Sequence, residues 1–147
     1  MRIGISADHG GLRRKEALAR DLREAGHEVV DFGATHLAPE DDYPDYVVPM
    51  ARAVARGEVE RGIAVCGSGV GACIAANKVP GVRAALCTDA ETARGARRWN
   101  DANVLAFGLR LTSSTVAKEM VDAFLATDFD PSEAEFVAAV EPTGGAR

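Results

Sequence analysis

Short apolar segments of strand length alternate with longer amphipathic segments along this chain. Five of the apolar segments, rich in Val, Ile, Leu and Ala, predict β-strands: Arg2–Ser6, Glu28–Phe32, Gly62–Cys66, Val82–Leu86 and Asn103–Phe107. Strands separated by helices are typical of a parallel sheet, and near-continuous apolar strands are typical of a sheet covered on both faces. The pattern therefore predicts an α/β fold, with one domain over residues 1–147, a five-stranded parallel sheet and helices on both faces.

The segments between and after the strands predict six helices, most of which start or end at a capping residue. They are Gly11–Ala25, Tyr46–Arg56, Val70–Asn77, Asp89–Trp99, Ser113–Ala126 and Ser132–Val140. Residues 141–147 are expected to form a frayed tail. In the first helix, periodicity predicts Leu22 and Ala25 on the buried face, and Lys15 with the neighbouring arginines on the exposed face.

The composition is that of an ordinary globular domain and narrows the choice of partners. The chain is 47% hydrophobic and carries a formal net charge of −5, from 17 basic and 22 acidic residues. An acidic domain without a dense basic stripe is a poor nucleic-acid binder. No signal peptide or membrane span is recognisable in the sequence. We therefore expect a cytoplasmic protein with a small-molecule substrate, and neither a nucleic acid nor a membrane as partner.

Metal and disulfide sites are not expected. The three cysteines form no CxxC pair and have no matching histidine cluster. Asp41, Asp42 and Asp45 form an acidic cluster, but an acidic turn beside a proline at a helix start is the commoner meaning of such a segment. The sequence thus predicts no metal and no other cofactor.

Polar and glycine-rich segments follow the predicted strands, where ligands bind in open α/β sheets. The strongest signal is Cys66–Gly71, in which an apolar strand delivers a thiol into a glycine-rich turn that opens a helix. Such a turn lets backbone N–H groups converge on an anion, and the helix N-terminus would lower the pKa of Cys66. From this loop alone, a reactive thiolate and a buried strand cysteine beside a plain turn are equally open.

The same loop disfavours two common cofactors. No Lys-Ser or Lys-Thr follows at the spacing of an ATP-binding loop, and the glycines at 67, 69 and 71 have GxGxG spacing rather than the GxGxxG of dinucleotide sites. We therefore do not expect ATP or NAD.

Other candidate residues each have a simpler structural interpretation. Asp8 and His9 follow the first strand and could orient hydroxyls or bind an anion, although a helix-capping Asp8 and a solvated His9 are favoured on spacing alone. The arginines at 94, 97 and 98 could attract a phosphate, or simply form a solvated helix end. Cys73 and Cys87 are expected to be inert small hydrophobic residues.

Assembled, these segments resemble the type-B ribose-5-phosphate isomerases, the family that also includes the subunits of galactose-6-phosphate isomerase. The resemblance extends to about Asp130, and the segments that carry it are Asp8–Gly11, Asp42–Tyr46, Val65–Gly71, Ile74–Lys78, Gly81–Ala84 and Asn100–Arg110. It implies a Rossmann-like fold, a homodimer that can pair into a tetramer, and metal-free interconversion of aldose and ketose phosphates through an enediolate.

The resemblance also implies a role for each site residue. Cys66 would be the base that moves a proton between C1 and C2, with Ser68 and Asn100 beside the sugar oxygens. The backbone N–H groups of the loop would hold the enediolate oxygen, which assigns this function to Gly67, Gly69, Val70 and Gly71.

The remaining implied roles concern substrate recognition. Asp8 and Tyr43 would hold hydroxyls, and His9 and Arg110 would lie at the substrate or phosphate end. Trp99 stands in the substrate site where many members have a histidine that opens the furanose ring. An indole N–H donates a hydrogen bond but cannot shuttle a proton as imidazole does.

A second departure lies near the C-terminus, where the family carries two arginines that clamp the phosphate. This chain has only neutral or acidic residues over Asp130–Phe136. Ribose 5-phosphate, a four-carbon sugar phosphate and a non-phosphorylated sugar therefore all remain as substrates. A non-catalytic sugar-binding protein is the alternative of another class, although such a protein would not need the thiol.

Overall fold

The computed structural model describes residues 1–37 and 40–142, and it contains the predicted five-stranded sheet. The strands are β1 (Arg2–Ala7), β2 (Glu28–Asp31), β3 (Arg61–Cys66), β4 (Ala84–Leu86) and β5 (Val104–Gly108). They are paired in parallel in the order β2-β1-β3-β5-β4. The α/β prediction is confirmed.

The fourth strand is shorter than predicted because its first two residues belong to a turn. The N–H of Val82 donates to the carbonyl of Val79, and the N–H of Arg83 donates to Oδ1 of Asn103. These donors are therefore unavailable to the sheet, and the strand begins at Ala84.

Helices cover both faces of the sheet, as predicted. They are α1 (Leu12–Glu24), α2 (Pro44–Ala55), α3 (Val70–Asn77), α4 (Ala90–Asn100), α5 (Ser114–Ala126) and α6 (Ala134–Val140), with 3₁₀ turns at His9–Gly11 and Pro131–Glu133. One apolar cluster joins α1, α4 and α5 to the sheet, and another joins α2 and α3 to its opposite face. Among the described residues, no helix is long and apolar enough to cross a membrane.

The C-terminal segment differs in detail from the prediction. The last helix starts two residues later than expected because Asp130 caps a 3₁₀ turn, its Oδ1 accepting from the N–H of Ser132. Residues 143–147 of the expected tail lie outside the described residues.

The predicted burial of Ala25 and the predicted exposure of Lys15 are both wrong. Lys15 is 1% exposed, and its Nζ donates to Oδ2 of Asp31 at 2.5 Å. Periodicity scores any lysine as polar, but a carboxylate from a neighbouring strand lets this ammonium be buried. Gly33 leaves room for the Lys15 side chain, because a Cβ on residue 33 would lie 2.5 Å from Cδ of Lys15. Ala25 is exposed because it lies past the last turn of the helix.

The strand order determines which loops meet. The carboxyl ends of β1, β3 and β5 are adjacent, so the segments that follow these strands share one edge of the sheet. Helix α4 runs back from β4 to the start of β5, so its last turn lies at the opposite edge. This separation decides which predicted site residues can meet within one chain.

Candidate active site

Cys66 is the last residue of β3, and its thiol points into the glycine-rich turn. The residue is 5% exposed, and the N–H of Gly69 donates to its Sγ at 3.2 Å. Gly69 has a φ of 80°, a left-handed conformation that glycine adopts without steric cost. The backbone thus turns back on the sulfur at this point.

The loop after β3 is packed directly on the end of β5. A Cβ at Gly108 would lie 2.4 Å from the carbonyl carbon and oxygen of Ser68, and a Cβ at Gly69 would lie 2.6 Å from the carbonyl carbon of Phe107. The N–H groups of Leu109 and Arg110 donate to the carbonyls of Cys66 and Gly67 at 2.9 and 3.0 Å. The two loops therefore form one rigid unit.

This packing brings Arg110 beside the thiol loop. Its Nε lies 3.7 Å from the position that a Cβ on Gly67 would occupy. The side chain is exposed, so its guanidinium remains available to an anion. Arg110 is therefore the cation that lies beside the loop.

Two of the predicted backbone donors have partners inside the loop. The N–H of Gly69 donates to Cys66, and the N–H of Val70 donates to Oγ of Ser68 at 3.2 Å. Within the described part of the chain, the N–H groups of Ser68 and Gly71 have no hydrogen-bond partner. The first N–H groups of a helix have no intrahelical acceptor, so the start of α3 retains donors for an oxyanion.

Tyr43 lies against the first turn of α3. A Cβ at Gly71 would be 2.6 Å from Cζ and 2.8 Å from the hydroxyl oxygen of Tyr43. A glycine is therefore needed at 71 for steric reasons, and its absence of a side chain lets the phenol reach the helix N-terminus.

Asp8 and His9 form the turn after β1, and this turn contacts the site. A Cβ at Gly11 would lie 3.4 Å from Leu109 and 3.7 Å from Val65, which places the turn against β3 and the loop after β5. Oδ1 of Asp8 accepts from the N–H of Gly10 at 3.0 Å, so Asp8 caps the 3₁₀ turn at His9–Gly11 and not helix α1, whose N-cap is Gly11.

His9 is not simply solvated, because its ring is held by a carboxylate. Nδ1 of His9 lies 2.5 Å from Oδ1 of Asp41, and the hydroxyl of Tyr46 donates to Oδ2 of Asp41 at 2.8 Å. The sequence predicts only an acidic turn at Asp41 and no site role for Tyr46. No pattern links residue 9 to residue 41, so this contact could be found only in three dimensions.

These contacts shift three pKa values. The hydrogen bond to Asp41 raises the pKa of His9, and the same carboxylate raises the pKa of Tyr46 to about 12. Burial raises the pKa of Asp41, but the hydrogen bonds from His9 and Tyr46 outweigh burial and bring it below its ordinary value. The arrangement favours an imidazolium paired with a carboxylate.

Trp99 and Asn100 are not brought to the thiol within one chain. They occupy the last turn of α4, at the edge where the strands begin. Arg61 and Cys66 mark the two ends of β3, about 17 Å apart at roughly 3.3 Å per residue. Trp99 and Asn100 instead line a groove of about 580 Å³ with residues that include Lys78, Phe136 and Val140.

The basic patch of α4 is not a free phosphate site. Arg97 is 3% exposed and donates to Oδ1 of Asp101 and to the carbonyl of Ala102. Arg94 donates to Glu91. Arg94 and Arg98 also line a groove of about 900 Å³ whose other charged residues are all acidic: Glu119, Asp122, Asp128 and Asp130. This groove contains none of the predicted site residues.

The other two cysteines lie outside the loop that follows β3. Burial raises the pKa of Cys73, and burial together with the charge of Asp89 raises the pKa of Cys87 to about 12. Both are therefore thiols at neutral pH. No group of three or more His, Cys, Asp or Glu within the described residues has the geometry to hold a metal ion.

A thiol and helix N-terminus at the carboxyl edge of a Rossmann-like sheet define an α/β enzyme site for small anionic substrates. A family model described as "Ribose/Galactose Isomerase" matches residues 3–139. The chain belongs to this family and is, by class, an aldose–ketose isomerase.

Individual relatives are similar over nearly their whole length. Ribose-5-phosphate isomerase B of Escherichia coli is 44% identical over 129 residues, covering 88% of this chain and 86% of the relative. D-erythrulose-4-phosphate isomerase of Pectobacterium atrosepticum is 38% identical over 128 residues, covering 87% and 84%. The structure of ribose-5-phosphate isomerase B from Mycoplasma genitalium with bound ribulose-5-phosphate has a TM-score of 0.90 and 36% identity, covering 95% and 93%.

The contact between Gly71 and Tyr43 predicts strong coupling between the two positions. Gly71→Ala should destabilise the fold by about 1–2 kcal/mol, because overpacking against the phenol costs more than the helix gains from alanine. In a Tyr43→Ala background the same change should be neutral or stabilising by up to about 1 kcal/mol. Urea unfolding of the four proteins at one protomer concentration measures the coupling. Additive free energies would show that the phenol does not constrain this helix turn.

Proposed function

We propose that Cys66 is the base of a metal-free aldose–ketose isomerase, as the family resemblance implies. The observation that carries this proposal is the thiol at the end of β3, with the N–H of Gly69 donating to its sulfur. The Cys66 thiolate takes the proton from C2 of the aldose, and the electron pair of the C–H bond forms the enediolate. A proton then moves from O2 to O1 of the enediolate, and the Cys66 thiol returns its proton to C1, so that C2 becomes the carbonyl carbon of the ketose.

The developing negative charge is held by the loop rather than by a metal or a cofactor. The N–H groups of the loop that have no partner of their own, including those of Ser68 and Gly71, donate to the enediolate oxygen, an arrangement that stabilises the transition state more than the neutral substrate. Ser68 has an exposed hydroxyl beside these donors and contacts the sugar oxygens. Asp8 and Tyr43 hold substrate hydroxyls, and His9 and Arg110 hold the phosphate end.

The nominal reaction is the isomerisation of ribose 5-phosphate to ribulose 5-phosphate. Relatives named for the isomerisation of ribose 5-phosphate, and the ribulose 5-phosphate bound to the Mycoplasma genitalium protein, support it. A four-carbon sugar phosphate is the second candidate. Trp99 favours it, because a substrate that forms no furanose through the same hydroxyl needs no ring-opening histidine. A relative that is named for a four-carbon substrate adds support.

We also propose that the protein works as a homodimer formed through the surface around β4. Large apolar side chains are exposed there on three neighbouring elements, at Val70 and Ile74 of α3, Leu86 of β4 and Trp99 of α4. Contiguous exposed apolar surface of this kind marks an interface. Cys66 lies beside one end of this patch and Asn100 beside the other. A two-fold interface through the patch would set one end of each copy against the opposite end of its partner.

Cys66→Ala should lower kcat by at least about 100-fold while leaving the fold intact, because the positioned base is lost. Cys73→Ala and Cys87→Ala are matched controls that remove thiols outside the site and should retain activity. In deuterated water, the wild type should place deuterium at C1 or C2 of the product. Full turnover by Cys66→Ala would identify another base, and a wild type without turnover on any sugar would favour a non-catalytic binding protein.

The dimer proposal predicts complementation between two inactive variants. Cys66→Ala and Asn100→Ala chains should each form inactive homodimers, whereas their mixed dimer contains one site with both residues intact. The purified mixed dimer should therefore have about half of wild-type activity, because one of its two sites is intact. The measurement is the activity of the two co-expressed, differently tagged chains after tandem purification. A verified mixed dimer that remains inactive would place both residues in a site formed by one chain, and an active Asn100→Ala homodimer would remove Asn100 from the site.

The substrate can be decided by comparing kcat/KM for ribose 5-phosphate, four-carbon sugar phosphates and free pentoses. We expect the wild type to favour the four-carbon compounds if Trp99 occupies the ring-opening position. Trp99→His should then raise kcat/KM for ribose 5-phosphate alone, by roughly 100-fold or more. Trp99→Phe is the control for loss of the indole. A clear preference of the wild type for ribose 5-phosphate, unchanged in Trp99→His, would show that residue 99 plays no part in ring opening.

A further inference from the structure

A chain of three side chains links the turn after β1 to helix α2. The hydroxyl of Tyr46 donates to Oδ2 of Asp41, and Oδ1 of Asp41 lies 2.5 Å from Nδ1 of His9. The backbone N–H of His9 also donates to Oδ1 of Asp41, at 3.3 Å. Asp41 therefore holds both the ring and the backbone of His9.

Asp41 and His9 differ in how far their side chains are exposed to solvent. The carboxylate of Asp41 is 8% exposed, whereas the imidazole of His9 is 34% exposed. A buried carboxylate is costly unless its oxygens accept hydrogen bonds, and both oxygens of Asp41 do. Within the described residues, Nε2 of His9 has no hydrogen-bond partner. Nε2 of His9 is thus the ring nitrogen that a substrate can reach.

The charged groups that act most strongly on His9 are acidic. Asp8 caps its turn, and Glu40 and Asp41 belong to the loop before α2. All three raise the pKa of His9, with the hydrogen bond to Asp41 as the largest cause, while partial burial lowers it. With Nδ1 engaged by Asp41, a neutral ring would present a bare acceptor at Nε2, and only the imidazolium would present a donor.

We propose that Asp41 is a positioning residue that holds His9 as an oriented imidazolium, so that its Nε2–H donates to the phosphate of the substrate. Tyr46 in turn fixes the carboxylate of Asp41. This inference rests on the proposed function, in which His9 and Arg110 lie at the phosphate end. The pair compensates in part for the two family arginines that Asp130–Phe136 lacks, because a cationic donor in contact with a phosphate forms a charge-assisted hydrogen bond.

The negative charge of Asp41 opposes the binding of the phosphate that the imidazolium of His9 favours. Asp41 repels a phosphate through space, but it lies behind the imidazole ring, and the repulsion is weakened by distance and solvent. The Nε2–H contact is direct. We therefore expect the donor to outweigh the repulsion at Asp41, whereas a nearby carboxylate without a hydrogen bond to His9 should only repel.

The test compares Asp41→Asn with Glu40→Gln, which removes one negative charge from the same loop and no hydrogen bond to the ring. Asp41→Asn should raise KM for the phosphorylated substrate about ten-fold near pH 7.5, with kcat nearly unchanged, because binding depends on the imidazolium. The rise of KM with pH should begin at lower pH than in the wild type. Asp41→Glu should restore part of the affinity, and Tyr46→Phe should show a smaller loss. Glu40→Gln should leave KM equal or lower.

A second readout needs no turnover. NMR titration of His9 in the free protein should show a lower pKa in Asp41→Asn than in Glu40→Gln, and inorganic phosphate should perturb the His9 resonances less in Asp41→Asn. An unchanged His9 pKa in Asp41→Asn, or a KM that falls as in Glu40→Gln, would overturn the proposal. A wild type that isomerises no phosphorylated sugar would instead contradict the proposed function, and the titration with phosphate would still decide the role of Asp41.

Discussion

The close approach of two backbone segments, the turn after β3 and the end of β5, underlies the whole site. Gly69 and Gly108 allow it, because a side chain at either position would overlap the backbone of the other segment. The approach points Gly69 at the sulfur of Cys66, starts α3 at the right place and brings Arg110 beside Gly67. Thiol, helix N-terminus and cation are therefore positioned by main-chain packing, which is rigid in a way that side-chain contacts on loops are not.

The elements that could be predicted from the sequence are those determined by local pattern. Helix α3 has the predicted bounds, Val70–Asn77, because a glycine turn starts it and the chain turns at Lys78. The buried strands β3 and β5 are shifted by one residue at most, since their apolar runs end in Gly or Cys. The placement of Cys66, Ser68 and Arg110 at one edge then follows from strand order in a parallel sheet.

The features that the sequence analysis missed depend on contacts between distant residues. Lys15 of α1 is buried because Asp31 at the end of β2 accepts its hydrogen bond, and the ring of His9 is held by a hydrogen bond with Asp41. Neither partner has a spacing that marks it. Asn100 shows a different limit, because resemblance assigns a residue to a site but does not say which copy of the chain supplies it. A linear pattern carries no information about the contacts of Lys15 and His9, or about the distance between Asn100 and Cys66 in the fold.

The glycines of the thiol loop also bear on how such a protein changes its specificity. With hydrogen atoms in place of side chains at 67, 69 and 71, the loop offers a ligand mainly main-chain amides, whose chemistry is the same whatever sugar is bound. Under the proposed function, discrimination between sugars comes from side chains on other segments, such as Tyr43, His9 and Trp99. Reaction and selectivity would then be encoded on separate stretches of chain, so mutation could redirect the enzyme to a new sugar while its proton-transfer chemistry is inherited intact.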